Sequence, residues 1–120
     1  MQERRGGRRG VGDGGEAQAA AYLEGQGYRV VQQGFATRDG ELDLIVEKGE
    51  WLVFVEVRLR HGGAIDPIET ITGPKQRKVV RTAMAYVARH QITDRAIRFD
   101  VVTLWDGKLT HLEAAFDAGM

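Results

Sequence analysis

Between residues 41 and 59 the chain first alternates and then saturates with apolar side chains. Leu42, Leu44 and Val46 alternate against Asp43, Ile45 and Glu47, the period-two pattern of a strand with two unlike faces. WLVFVEV, beginning at Trp51, is apolar on both faces until Glu56, which predicts a central strand covered from both sides. Lys48-Gly49-Glu50 separates the two runs as a short hairpin turn. YRVVQQG (28–34) predicts a strand before them, and AIRFDVVTLW (96–105) predicts one after the middle of the chain. Asp106-Gly107 reads as a turn, and residues 108 to about 113 as an edge strand.

Two stretches carry a helical period instead. Ala17, Ala20 and Leu23, with Tyr22 beside them, recur at helical spacing from about Val11 or Asp13 to Gln26, and Gly27 is a natural stop. Pro74 opens a second helix at a position where its missing N–H does no harm. Val79, Val80, Ala83, Met84 and Val87 form its apolar stripe as far as Arg89. Gly62, Gly63, Pro67 and Gly73 mark residues 60–73 as a loop. The order is αβββαββ. The strand–helix–strand passage after the meander implies a parallel crossover and so a mixed sheet.

The chain has 120 residues, enough for one compact domain over residues 11–120. Residues 1–10 read as a flexible basic arm: Arg4, Arg5, Arg8 and Arg9 sit among glycines that contribute no core. There is no cysteine, which excludes disulfides and thiolate metal sites. No apolar run spans a bilayer and no apolar signal segment follows the basic N-terminus, so a cytoplasmic protein is expected. The formal net charge is zero, so only the distribution of charge informs. Lys75, Arg77, Lys78, Arg81 and Arg89 fall in a stretch with no acid, which suits a polyanion as well as a plain solvated helix face.

Asp43 and Glu56 are carboxylates inside apolar strands, where a charge is costly unless compensated. Asp43 lies six positions before Gly49 and Glu56 seven after it, so one antiparallel hairpin can make them neighbours. A one-residue slip or a bulge would separate them. Three outcomes follow: ion pairs with Arg58 or a helix cation, a divalent-cation site, or exposure at strand ends.

GELDLI, a hairpin and VFVEVR resemble the YraN-like family of small bacterial proteins, within the restriction-endonuclease-like, or PD-(D/E)XK, nuclease superfamily. The resemblance also takes in GGEAQAAAYLEGQGYRVV, ITGPKQRKV and RFDVV, and it covers nearly the whole chain. Joint order and spacing make it specific; each piece alone is weak. It implies an α/β fold with a restriction-endonuclease-like αβββαβ core, a mixed central sheet and an additional edge strand. It implies Asp43 and Glu56 as ligands of Mg²⁺ or Mn²⁺, the Val57 carbonyl as a further ligand, and Glu16 completing the site. Arg58 stands where the superfamily usually has lysine, while Glu41, Lys75 and Asp100 match other characteristic positions.

The implied activity is metal-dependent hydrolysis of phosphodiester bonds in nucleic acid, DNA rather than RNA, selective for structure rather than sequence. Arginine can stabilise phosphate charge but stays protonated and is a poor base. Lys75, as a substitute cation, or metal-bound water is therefore expected to supply what Arg58 cannot, and Arg77, Lys78 and Arg81 to hold flanking phosphates. Two other readings compete: a nucleic-acid-binding module that has weakened or lost cleavage, and an accessory subunit contacting a protein through loop 60–73. Superfamily nucleases often act as homodimers, but no interface is legible here. His61, His90 and His111 lack metal-ligand spacing and read as surface or capping residues, with His61 near enough to the hairpin to line the site. Trp51, Phe54, Phe99 and Trp105 read as core or sheet-edge residues; base stacking would require one to be exposed beside the acidic pair.

Overall fold

A computed structural model describes residues 10–118, with side chains from Gly15 onward. The proposed basic arm therefore lies outside the described residues, apart from Gly10, where the first helix begins. In chain order the elements are α1 (Gly10–Gly25), β1 (Arg29–Thr37), β2 (Gly40–Lys48) and β3 (Trp51–Arg60). A 3₁₀ helix (Pro67–Thr70), α2 (Gly73–Arg89), β4 (Ala96–Trp105) and β5 (Lys108–Phe116) follow. The five strands form one mixed sheet in the order β1-β2-β3-β4-β5. Only β3 and β4 run parallel, joined through α2; the other pairings are antiparallel.

The expected order of elements is the observed one. β3 is the central strand that its two-faced apolarity predicts. Two apolar clusters flank it. On one face Ala19, Ala20 and Leu23 of α1 pack on Leu44, Val46, Val53, Val55 and Val102. On the other, Val79, Ala83 and Tyr86 of α2 pack on Leu42, Ile45, Leu52, Phe54 and Phe99. Phe54 lies edge-on to Tyr86 at 5.9 Å and stacks with Phe99 at 5.7 Å.

Both hairpins take the backbone their sequence demands. Gly49 has φ +60° at the first loop position, where a two-residue II′ turn calls for glycine. Asp106 and Gly107 both have positive φ, +49° and +84°, as a type I′ Asp-Gly turn requires. α1 ends where Tyr28 N–H donates to the Leu23 carbonyl at 3.0 Å across Gly27, whose φ is +97°. Thr72 caps α2, its hydroxyl accepting the Lys75 N–H.

Several details depart from the sequence reading. Ala17 is exposed and Ala19 buried, so the contact face of α1 is rotated from the expected one. On α2, Met84 is exposed, while Thr82 and Tyr86 are buried in the stripe. β5 runs to Phe116 rather than stopping near Glu113, because an irregularity in the β4–β5 register lets Phe116 pair with Phe99.

A buried polar network closes the α1 face of β4. Asp100 is fully buried and accepts Arg98 Nε at 2.8 Å, Arg98 Nη2 at 2.7 Å and the Ala114 N–H at 3.0 Å. His111 Nε2 lies 2.8 Å from its Oδ2. His111 is thus no surface histidine: its side chain is buried between Asp100 and the edges of Tyr22 and Tyr28. Burial alone would raise the Asp100 carboxyl's pKa, but hydrogen bonds from His111, Arg98 and the Ala114 N–H outweigh it and hold it below the ordinary value.

Truncating Phe54 to alanine removes the ring that joins α2 to the sheet and should cost about 3–5 kcal/mol, read as a lower urea midpoint with an unchanged slope. Asp100→Asn leaves the Arg98 guanidinium buried beside a neutral amide and should destabilise by a similar ~3–5 kcal/mol. Because the Asp100 pKa is depressed on folding, its stabilisation is present at neutral pH. It is lost as pH falls through the folded-state value, so the gap between wild type and Asp100→Asn should narrow in acid melts.

Candidate active site

The β2–β3 ladder runs from Lys48↔Trp51 to Leu44↔Val55. One further step in this register sets Asp43 opposite Glu56. There the Asp43 side chain takes over from the backbone: its Oδ2 accepts the Val57 N–H at 2.8 Å. The alternation of β2 also breaks at this point, since Leu42 and Ile45 pack in the same α2-side cluster while Leu44 packs on the opposite face. Strict period two, as read from the sequence, therefore fails around Asp43, where the strands part and make room for a carboxylate.

Glu56 follows Leu52 and Phe54 on the α2 face of β3 and is 4% exposed. Its carboxyl has no water shell to stabilise a charge. Burial first and the Asp43 charge second push its pKa up to about 7, against the partial opposition of Lys75 and Arg58. The nearby Asp43 carboxylate favours the protonated form of Glu56 through its charge and as a hydrogen-bond acceptor, so Glu56 titrates near neutrality.

Two cations border the pair. Lys75 Nζ, from the first turn of α2, lies 3.6 Å from Glu56 Oε2. Arg58, two residues along β3 on the same face, places a terminal guanidinium nitrogen 3.6 Å from the same oxygen. Both separations are loose for ion pairs, and Arg58 Nε is buried without a hydrogen-bond partner. The exposed side chains of Arg77, Lys78 and Arg81 extend a basic surface along α2, and Arg81 also sits 3.7 Å from Asp39.

The structure therefore brings together Asp43, Glu56, Val57, Arg58 and Lys75. Glu16 is half-buried on α1 with contacts of its own, and Glu41 is exposed on β2. Among the described residues no three His, Asp or Glu side chains converge as a metal cage, so Glu16 does not close one with Asp43 and Glu56. Two hard oxygen donors, one of which titrates near neutrality, still fit Mg²⁺ or Mn²⁺. Mg²⁺ commonly takes one or two protein carboxylates and fills its shell with water and substrate phosphate. Asp100 faces the other side of the sheet and is saturated by its own donors, which makes it structural. His61 is exposed; His90 caps α2, stacked 4.1 Å from Tyr86.

The model of the Uncharacterised protein family UPF0102 matches residues 15–104. The UPF0102 protein of Myxococcus xanthus is 39% identical over 118 residues, spanning 94% of both chains. That of Anaeromyxobacter dehalogenans is 47% identical over 116 residues, 92% of this chain and 87% of the relative. A third, from Alkalilimnicola ehrlichii, is 44% identical over 110 residues, 90% and 87% of the two chains.

The raised pKa of Glu56 fixes a sign. Between the ordinary carboxyl value of 4.5 and about 7, folded Glu56 keeps a proton that the unfolded chain has released. Its contribution therefore falls as pH rises through that window. Glu56→Gln keeps the shape of the protonated form and should be about as stable as wild type near pH 4.5. It should be more stable by about 2–3 kcal/mol at pH 8, read from paired denaturant titrations.

Proposed function

The chain belongs to the Uncharacterised protein family UPF0102, and from that premise we propose that it is a metal-dependent phosphodiesterase acting on nucleic acid. The observation that carries this reading is the buried Asp43–Glu56 pair with Lys75 and Arg58 at its rim. It is costly as architecture: Glu56 could be apolar at that depth with no loss to the core. It is useful as chemistry, because a divalent cation would displace the Glu56 proton and offset the burial.

Asp43 and Glu56 would hold the ion, with the Val57 carbonyl as a candidate further ligand. When bound, Mg²⁺ or Mn²⁺ would lower the pKa of water and neutralise charge on the scissile phosphate. The Val57 N–H fixes the Asp43 carboxylate so that it need not reorganise on binding. Arg58 offers its unpartnered Nε–H and its fork to a phosphate oxygen but cannot remove a proton. Lys75 adds a mobile cation at the mouth of the site, and Arg77, Lys78 and Arg81 would meet flanking phosphates without reading bases. DNA is the favoured polymer, and the expected selectivity is for structure. The αβββαββ order around a mixed sheet supports the restriction-endonuclease-like reading of the fold.

A second reading has one observation behind it. Arginine at position 58, together with the missing third carboxylate in the cluster, fits a nucleic-acid-binding module with weakened or lost cleavage. Two measurements separate the readings. Under the first, Mn²⁺ at a hundredfold excess over its Kd stabilises wild type by about 2.7 kcal/mol, and Asp43→Ala and Glu56→Ala abolish the effect. A panel of linear, nicked, forked and four-way DNA with Mg²⁺ or Mn²⁺ should show cleavage by wild type and none by Glu56→Ala. Lys75→Ala should lower cleavage by tenfold or more. Salt-sensitive DNA binding that ignores both carboxylates, with no cleavage in any lane, would establish the module instead.

A further inference from the structure

The α2 face of the sheet continues past Arg58 into a cavity of about 250 Å³. Thr103 and Trp105 of β4, Thr110 and Leu112 of β5 and Ile68 of the 3₁₀ helix line it, mostly with apolar surface. Strand register ties it to the acidic pair: Glu56, Arg58 and Arg60 of β3 lie beside Val101, Thr103 and Trp105 of β4. Thr103 in turn lies opposite Thr110 on β5. The cavity thus begins two residues, about 7 Å, along the strand direction from Glu56 and one strand over.

One polar atom at this boundary is buried without a hydrogen-bond partner among the described residues, Arg58 Nε. Thr103, 4% exposed, lies beside Arg58 in the strand register and lines the cavity. Buried polar groups are normally satisfied, so an open guanidinium N–H next to a cavity lined by hydroxyl-bearing side chains marks a place for a polar ligand. The ring of Trp105 is held by its own Nε1–H, which donates to the Gly62 carbonyl at 2.9 Å, so its face is a fixed wall. The acid of the cavity is already engaged: Asp66 accepts the Ile68 N–H at 3.0 Å. Lys108 adds a cation at the rim. The chemistry required is a flat, largely apolar group with polar edges, attached to an anion that reaches Arg58.

We propose that this cavity receives the base of an unpaired nucleotide whose phosphate lies at Arg58. The proposal rests on the phosphodiesterase reading of the Asp43–Glu56 pair for the nature of that phosphate. The cavity is smaller than the ~300–1,000 Å³ of sites for drug-sized ligands, which suits one ring system. The Thr103 and Thr110 hydroxyls both donate and accept, so they meet the edge of any base and impose little sequence preference. A base in a duplex would have to leave its stack first, so single-stranded or flapped substrate is favoured over intact duplex.

The test uses the full chain with Trp51→Phe, which leaves Trp105 as the single tryptophan of a sequence that has two. Metal is removed with EDTA, so cleavage plays no part. A deoxynucleoside 5′-monophosphate should quench Trp105 fluorescence saturably, and inorganic phosphate should not. Thr103→Val, and Thr110→Phe placed to fill the cavity from an exposed position, should each weaken the apparent Kd at least fivefold while their melting curves confirm folding. No quenching, equal quenching by inorganic phosphate, or an unchanged Kd in Thr110→Phe would overturn the base site. Cleavage of DNA without mononucleotide binding removes this subsite and leaves the phosphodiesterase standing. Mononucleotide binding without cleavage or metal binding does the reverse.

Discussion

Glu56 buried against Asp43 is the constraint around which the rest of this molecule is arranged. A carboxyl at that depth has lost its hydration, and the strand register sets another acid opposite it. Nothing apolar compensates such a contact. The surrounding structure responds in three ways. The β2–β3 ladder parts so that the Asp43 side chain can take the Val57 N–H. α2 begins where Lys75 reaches the pair, and Arg58 follows on the same face of β3. What remains uncompensated raises the Glu56 pKa toward neutrality.

Asp100 supplies the contrast within the same sheet. It is more deeply buried than Glu56, yet its pKa moves the other way. The difference lies in the donors. Asp100 meets a two-pronged guanidinium, an imidazole and a backbone amide, all at hydrogen-bond distance. Glu56 meets two cations at 3.6 Å and an acid. A carboxylate saturated with donors has nothing left to offer a ligand and serves to hold β4, β5 and Tyr28 together. One that is under-supplied is a place where something else can bind. Burial alone does not separate structure from function here; the hydrogen-bond inventory does.

The same accounting extends along β3 to Arg58, whose Nε is left open beside Thr103. Acidic pair, open guanidinium and cavity lie in sequence across adjacent strands of one face. A phosphate with its attached base would span them in that order. Opposite charges and an apolar recess on one rigid sheet are the arrangement expected of a site preorganised for a phosphodiester. The family's name assigns no activity, so the proposed function stands on this arrangement.

The hydrophobic pattern determined the elements. β3 is central because WLVFVEV is apolar on both faces. β4 spans Ala96–Trp105 because ten residues of strand pattern are bounded by Arg95 and an Asp-Gly turn. The candidate pair was legible too, since a tight turn at Gly49 sets the register and register sets which residues meet. Other features depend on contacts between segments far apart in the chain, which no local pattern encodes. Ala19 rather than Ala17 faces the core because docking of the whole helix fixes its rotation. His111 is buried because Asp100, eleven residues away and one strand over, needs its donor. The rise in the Glu56 pKa and the cavity between Thr103 and Thr110 likewise exist only once strands and helices have closed around them. Sequence chose which residues could meet; tertiary packing decided how much water and how many donors each would keep, and the chemistry of a buried carboxyl follows from those two quantities.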